Sequence, residues 1–355
     1  MKGGGTPYTL RQAMDRAENL AATPGVPHGP NPRVGCVIMS ANGEVLGEGY
    51  HRGAGTPHAE VAAIADCVRR GNQTQGATAV VTLEPCSHHG HTGPCTEALL
   101  KAGIARVVVG RLDPNPVASG GAQALRTAGV DVYTDTPSDP ELNRGWEHGL
   151  RTGRPFVTAK IAATLDGFVA AADGSSQWIT SAQARADGHR LRGANDVIVV
   201  GTGTALADTP SLTARDNDGR LLEHQPLRAV MGLRVAPLAD VGAANNAGAS
   251  LRLVTRDPHA ALDQLFAAGY RDVLIEGGPH LIGAFLREGL VDQVIYYLAP
   301  RLLGAGLNAA ADLRVDTLSQ SLDFQLLSAT PLTEPDGSTN LRLVLQRKEG
   351  ACLLD

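Results

Sequence analysis

Basic residues do not dominate this chain of 355 residues: 31 Lys and Arg stand against 36 Asp and Glu, a formal net charge of -5. The broad positive footprint of a nucleic-acid-binding protein is therefore missing. With aromatic residues at only 4%, no Arg/aromatic stripe is available for stacking single-stranded bases either. A small anionic substrate stays compatible with this balance, provided its arginines are local. No stretch approaches the ~20 apolar residues of a membrane span, and the N-terminus MKGGGTPYTL lacks the apolar segment of a secretory signal. Cysteine is sparse: five in a long chain, an odd number, make no disulfide framework, and Cys36 and Cys67 lie in apolar runs where buried free thiols are common. These absences lead to the expectation of a cytoplasmic enzyme acting on a small molecule, with no nucleic-acid and no membrane partner.

The length exceeds what one hydrophobic core sustains, so two domains are expected. The first half alternates strands and helices. Val34–Met39 is an apolar run, and Asn42-Gly43 signals a two-residue hairpin into Glu44–Tyr50. A helix over Ala59–Arg70 stops at Gly71, and the sequence continues with a strand (Ala79–Leu83), a helix (Cys95–Ala102), a strand (Arg106–Gly110), a helix (Gly121–Ala128) and a strand (Val130–Tyr133). This pattern predicts a three-layer α/β/α sandwich. The Asp-, Pro-, Gly- and Arg-rich segment Thr134–Pro155 marks the boundary, giving domains 1–150 and 151–355. Strands at Phe156–Ala162, Val197–Val200, Leu251–Val254 and Val273–Ile275 then alternate with helices at Ser181–Leu191, Pro258–Ala268 and Pro279–Arg287. Two strand-like runs, Gln293–Leu298 and Leu341–Gln346, end the chain, and Ala236–Ser250 reads as a surface loop.

The strongest chemical signal is Pro57-His58-Ala59-Glu60, followed by Pro85-Cys86 and then Cys95. One imidazole and two thiolates supply three ligands of a tetrahedral zinc and leave the fourth position to water, whose pKa the metal lowers to about 7. Glu60, two residues after the histidine at a helix start, can stay off the metal and shuttle protons as the catalytic acid/base. The H-x-E before P-C…C order is a deaminase signature. A closed structural site, with His88, His89 or His91 as a fourth ligand, is the alternative; it has no need of Glu60.

The string Leu83-Glu84-Pro85-Cys86-Ser87-His88-His89-Gly90-His91-Thr92-Gly93-Pro94-Cys95 resembles the deaminase half of the bacterial bifunctional riboflavin-biosynthesis family. That family joins a diaminohydroxyphosphoribosylaminopyrimidine deaminase to a 5-amino-6-(5-phosphoribosylamino)uracil reductase. Asn31-Pro32-Arg33-Val34-Gly35, His58-Ala59-Glu60 and Asp113-Pro114-Asn115-Pro116 match it in order, and the likeness covers nearly the whole chain. It implies a cytidine-deaminase-like domain, a dihydrofolate-reductase-like domain, one zinc, NADPH, a phosphorylated pyrimidine substrate and a homo-oligomer. It also implies substrate contacts at Asn31, His51, His88, His91, Asp113 and Asn115. The family usually has Lys or Arg where His91 stands, and a neutral imidazole is a weaker partner for an anion.

In the second half, Gly201-Thr202-Gly203-Thr204 follows a strand but lacks a third glycine and opens no obvious helix, so it is weak as a dinucleotide fingerprint. Glu276-Gly277-Gly278-Pro279, between a strand and a helix, suits either a pyrophosphate site or a tight turn. Lys160, Leu165-Asp166-Gly167, Ser176-Gln177-Trp178-Ile179-Thr180, Val200-Gly201-Thr202-Gly203-Thr204, Ala207-Asp208-Thr209-Pro210-Ser211-Leu212 and Glu276-Gly277-Gly278 resemble the reductase half, in the same order. The resemblance implies NADPH contacts at Ala162, Trp178, Thr204, Asp208, Gly278, Pro279, His280, Leu281, Ile282, Gly283 and Ala284. Substrate contacts are implied at Ser176, Arg192, Leu212, Arg215 and Glu276. Arg192 and Arg215 could fork a phosphate, and Asp208 could act as an acid on the opened sugar. Met231-Gly232-Leu233 replaces an acidic residue and Ser of the family pattern. A single-function enzyme with one inactive half and a zinc-stabilised binding protein are the rival readings.

Overall fold

The structure is a computed structural model and describes residues 7–88, 93–241 and 249–348; His91 and His89 lie outside them. It divides into two compact units, Met1–Thr152 and Gly153–Asp355.

The first unit runs α1 (Leu10–Ala21), β1 (Gly35–Met39), β2 (Val45–Tyr50), α2 (Ala59–Arg69), β3 (Thr78–Val81), α3 (Cys95–Lys101), β4 (Arg106–Val109), α4 (Gly121–Thr127), β5 (Asp131–Tyr133) and α5 (Arg144–Thr152). Its sheet has the order β2-β1-β3-β4-β5, with β1 antiparallel to β2 and β3, and β3, β4 and β5 mutually parallel. Strand alternation sorts the side chains into two cores. Val37, Met39, Val80 and Val108 meet Ala13, Met14 and Ala17 of α1. Cys36, Ile38, Ala79, Val81, Val107 and Val109 meet Ala59, Ala63 and Cys67 of α2, Leu99 of α3 and Leu125 of α4. The expected three layers are present.

Three local expectations change. Helix α1 was not legible as such; Thr9 starts it with a capping box closed by Gln12. The hairpin turn is three residues, Ala41–Gly43, because Ser40 and Glu44 still pair through backbone (2.9 Å). Only Gly43 takes a positive φ (+84°), so the turn closes with one left-handed glycine and not with the Asn-Gly pair. The segment read as a boundary linker holds α5, whose face buries Trp146 and His148. Against β2, helix α2 sits backbone to strand: a Cβ on Gly47 or Gly49 would collide with main-chain atoms of Ala59, Ala63 or Cys67.

The second unit runs β6 (Phe156–Thr164), β7 (Phe168–Ala171), α6 (Ala182–Gly193), β8 (Val197–Gly201), α7 (Thr202–Asp208), β9 (Leu227–Met231), β10 (Ser250–Leu253), α8 (Pro258–Ala267), β11 (Asp272–Ile275), α9 (Pro279–Arg287), β12 (Gln293–Ala299), β13 (Gly306–Asn308), β14 (Phe324–Thr333) and β15 (Thr339–Arg347). The main sheet has the order β10-β9-β8-β11-β6-β12-β15-β14. Its first six strands are parallel and the final hairpin antiparallel. Helices α8 and α9 cover one face through Leu262, Leu265, Ile282 and Phe285. On the other, Ala205 of α7 and Leu212 pack on Ile198, Val200 and Leu274. Gly201 turned out to be the N-cap of a helix, α7, so the Gly201–Thr204 turn does open one, although it is only seven residues long. Of the loop expected at Ala236–Ser250, residues 242–248 lie outside the described set, and Ser250 begins β10.

Candidate active sites

In the first unit the functional side chains gather at the carboxyl ends of β3 and β4, where parallel sheets place their ligands. His58 is the N-cap of α2 and Cys95 the first residue of α3. Cys86 follows β3 by five residues. His58 Nδ1 lies 3.1 Å from Cys95 Sγ and 3.6 Å from Cys86 Sγ, and the Cys95 N–H points at Cys86 Sγ at 3.4 Å. All three donor atoms fall within 4.8 Å of one another. Zinc–sulfur and zinc–nitrogen bonds of about 2.0–2.3 Å give tetrahedral edges of roughly 3.3–3.8 Å, so this donor set fits zinc in both spacing and chemistry. The hydrogen bond from Cys95 pulls the Cys86 thiol down to about 4, against its burial and with help from His58; Cys95 is correspondingly pushed up.

Glu60, in the first turn of α2, is buried at 3% exposure, and burial holds its carboxyl above the ordinary range. It opens onto a cavity of about 480 Å³ that Asn31, His51, His58, Cys86, His88, Asp113 and Asn115 also line. Every residue expected to contact substrate in this half therefore converges on one space, except His91, which lies outside the described residues. His51 Nδ1 faces the Pro57 carbonyl at 3.1 Å and must carry the proton there; Nε2 then accepts from Asn31 Nδ2 at 3.0 Å. Burial first, and His58 after it, lower the His51 pKa and keep the ring neutral. Asn31 is thereby oriented with its Oδ1 available. Asp113 accepts from the Asn115 N–H at 2.8 Å, and burial raises its pKa.

Glu84 went unremarked as a working residue, yet its two oxygens accept from Asp113 N (3.0 Å) and Ala122 N (2.8 Å). It ties the Asp113 loop and the start of α4 to the Pro85-Cys86 turn. Trp146 and Leu150 also line the cavity and were hidden in the segment read as a linker.

In the second unit, the turns after β8 and β11 stand side by side. The Gly278 N–H donates to Thr204 Oγ1 at 3.0 Å, joining two positions expected to contact NADPH. Gly278 caps α9 with Pro279 at its start, as anticipated, and the space beside Gly203 is open. Bare backbone at adjacent parallel strand ends suits a pyrophosphate. Ala162 sits on β6, paired with Tyr297 of β12. His280 is exposed and pairs with Asp312 at 2.8 Å. Leu281 packs near Gly201, and Ala284 is half-buried. Ile282 and Gly283 point elsewhere: Ile282 is in the core, and Gly283 abuts the Ala311 backbone, because residues three and four after Pro279 fall on the buried helix face. Leu212 likewise turns its side chain into the core at φ +51°.

Arg192 departs furthest from expectation. Its Nε and Nη2 fork the Glu276 carboxylate at 2.7 and 2.8 Å, and Nη1 donates to the Thr213 carbonyl at 3.1 Å, so its donors are engaged within the protein. Glu276 is 6% exposed, and Lys160 Nζ stands 3.7 Å away. Burial alone would raise this carboxyl, but Arg192 and Lys160 outweigh it and hold it at about 2. Arg215 is half-buried and donates to Gly219 O at 2.7 Å. Asp208 and Ser176 are exposed, and Trp178 is 62% exposed beneath the Arg185 guanidinium at 4.4 Å.

Comparison with known proteins matches each half of the chain to a different family. Residues 7–111 match the cytidine and deoxycytidylate deaminase zinc-binding region, and residues 155–334 match the RibD C-terminal domain. The chain is 47% identical to the riboflavin biosynthesis protein RibD of Corynebacterium ammoniagenes, covering 87% of this chain and 90% of that one. Identity to RibD of Escherichia coli is 42%, covering 82% and 88% respectively. The fold matches a diaminohydroxyphosphoribosylaminopyrimidine deaminase/5-amino-6-(5-phosphoribosylamino)uracil reductase from Thermotoga maritima with a TM-score of 0.80 at 30% identity, over 96% of this chain and 99% of that one. Acinetobacter baumannii RibD gives 0.77 at 35% identity over the same shares. A deaminase-type zinc site and a RibD-type reductase site in one chain leave a single assignment: the protein belongs to the RibD family of bifunctional riboflavin-biosynthesis enzymes, a zinc-dependent deaminase joined to an NADPH-dependent reductase.

Proposed function

We propose that the first unit hydrolyses the C2 amino group of 2,5-diamino-6-(5-phosphoribosylamino)pyrimidin-4(3H)-one, and that the second reduces the ribosyl group of the product to ribityl. The observation that carries this reading is the convergence of His58, Cys86, Cys95 and Glu60 on one cavity with Asn31, His51, His88, Asp113 and Asn115. Zinc held by His58, Cys86 and Cys95 supplies, when bound, a water whose pKa falls to about 7. Glu60 would carry one proton of that water to the ring nitrogen as the oxygen bonds to C2, and the second to the departing amine, so that C2–NH2 becomes C2=O, the ring nitrogen keeps its proton and ammonia leaves. Asn31 and Asp113 orient the ring, while neutral His51 fixes Asn31.

NADPH supplies a hydride for C1′ of the opened ribosyl group. Thr204 and Gly278 hold the cofactor's phosphates by their turn geometry, Asp208 gives the proton, and Glu276, fixed by Arg192, meets the sugar hydroxyls. With Arg192 occupied, Arg215 is the guanidinium left for the 5-phosphate. The four described cysteines are free thiols, which suits a reducing cytoplasm. No helix among the described residues is long and apolar enough to cross a membrane. The reading includes a homo-oligomer: β14 is a ten-residue edge strand exposing Leu326 and Leu327.

A coupled assay tests the whole reading. Purified protein should release ammonia from this substrate and then oxidise NADPH; a zinc chelator should stop ammonia release, and NADPH oxidation with it, but not NADPH oxidation when pre-deaminated substrate is supplied. Zinc-loaded protein that does neither overturns it; an inactive second step alone returns the single-function alternative.

A further inference from the structure

The segment whose composition reads as a boundary belongs to the first unit and reaches its cavity. Asn143 is 7% exposed, and both ends of its amide engage one residue: Oδ1 accepts from Arg33 N at 2.8 Å and Nδ2 donates to Arg33 O at 2.9 Å. Arg33 stands two residues after Asn31, the residue that pairs with His51. One turn later in the chain, Trp146 is 5% exposed and lines the same cavity as Glu60, with Leu150 four residues further along α5. A tether alone is polar, solvated and free of long-range contacts. This one presents a buried amide to a loop 110 residues earlier and an indole to the cavity that Asn31, His51, Glu60, Asp113 and Asn115 also line.

We infer that Trp146 is the apolar wall against which the pyrimidine ring of the deaminase substrate lies, and that Asn143 is a positioning residue for Asn31. This rests on the deaminase reading of the cavity. The substrate ring is planar and needs an apolar surface that excludes water from its face while its edges hydrogen-bond; among the described lining residues, Trp146 is the one aromatic hydrocarbon surface of sufficient size. Asn31 reaches the ring edge only while its loop keeps its place, and Asn143 sets that place through main-chain atoms.

The chain holds two tryptophans, Trp146 and Trp178. In a W178F/E60Q chain, which cannot turn substrate over, Trp146 emission should change on adding the diaminopyrimidine substrate and saturate near the KM of deamination, whatever W178F does to reduction. In otherwise unaltered enzyme, W146F should keep KM within about 3-fold, while W146L should raise it by roughly 10-fold with kcat nearly unchanged. N143A should raise KM and lower kcat together without changing zinc content, and N143D, which keeps the acceptor but not the donor, should recover only part. Unchanged emission at saturating substrate, or a normal KM in W146L, overturns the assignment of Trp146. A normal N143A overturns that of Asn143. Absence of ammonia release from the wild-type enzyme instead removes the deaminase reading beneath both.

Discussion

Glu276 offers a prediction whose size follows from its surroundings. Its carboxyl is held at about 2 against an ordinary 4.5, because Arg192 and Lys160 outweigh its burial. Each factor of ten in proton affinity is worth about 1.4 kcal/mol, so the lowering corresponds to about 3 kcal/mol of stability in the second unit. A depressed carboxylate pKa stabilises the fold fully above pH 4.5, and the contribution fades as pH falls through that value and is gone below about 2. Replacing Glu276 by Gln removes the charge at every pH and leaves Arg192 buried without its partner, a loss of about 3–5 kcal/mol near neutrality. The difference in unfolding free energy between wild type and E276Q should therefore be several kcal/mol at pH 6 and shrink by about 2–3 kcal/mol by pH 2.5, the remainder going below pH 2. Urea titrations of the full chain, read by pulse-labelled hydrogen exchange of peptides from β6, β8 and β11, measure it within the second unit. Other carboxylates titrate equally in both chains and cancel. A difference that stays constant from pH 6 to 2.5 would refute the argument that the Arg192–Glu276 fork is what holds this carboxyl down.

Three further outcomes are expected. Glu60→Gln should slow ammonia release by at least 100-fold while NADPH oxidation with pre-deaminated substrate is unaffected, as two separate assays will show. Cys86→Ser should lower the zinc content measured by metal analysis well below one per chain and abolish deamination, again sparing reduction. Gly121→Ala would drive a methyl into the Pro85 carbonyl. It should cost about 1–3 kcal/mol in thermal unfolding and weaken zinc retention under a competing chelator, since Cys86 is the next residue.

What was legible in the sequence was whatever depends on one chain segment at a time. His58, Glu60, Cys86 and Cys95 stood out because metal ligands need specific atoms at specific spacings, and the alternating apolar runs reported the strands for the same local reason. The misses come from partners distant in sequence. Arg192 reads like any arginine able to fork a phosphate; that Glu276, 84 residues later, takes the fork is a fact of packing. Helix α5 sits in a Pro- and Asp-rich stretch whose composition outweighs its short apolar face, and α7 is too short for a period to register. Glu84 looked like one letter of a motif, because its acceptors' partners, Asp113 and Ala122, lie 29 and 38 residues on. His91 departs from the family pattern, and its neighbourhood lies outside the described residues.

The seating of α2 on the glycines of β2 has a consequence for how this protein can vary. The spacing between that helix and the sheet is set by main-chain atoms meeting main-chain atoms. Apolar residues elsewhere in the first unit can drift in size and alter overall stability without recalibrating where His58 and Glu60 stand. The two glycines themselves have no such latitude, since any side chain there lifts the helix that carries the proton shuttle. Sequence freedom in the core and fidelity of the chemistry are thereby uncoupled, and the burden of precision falls on two positions that carry no side chain at all.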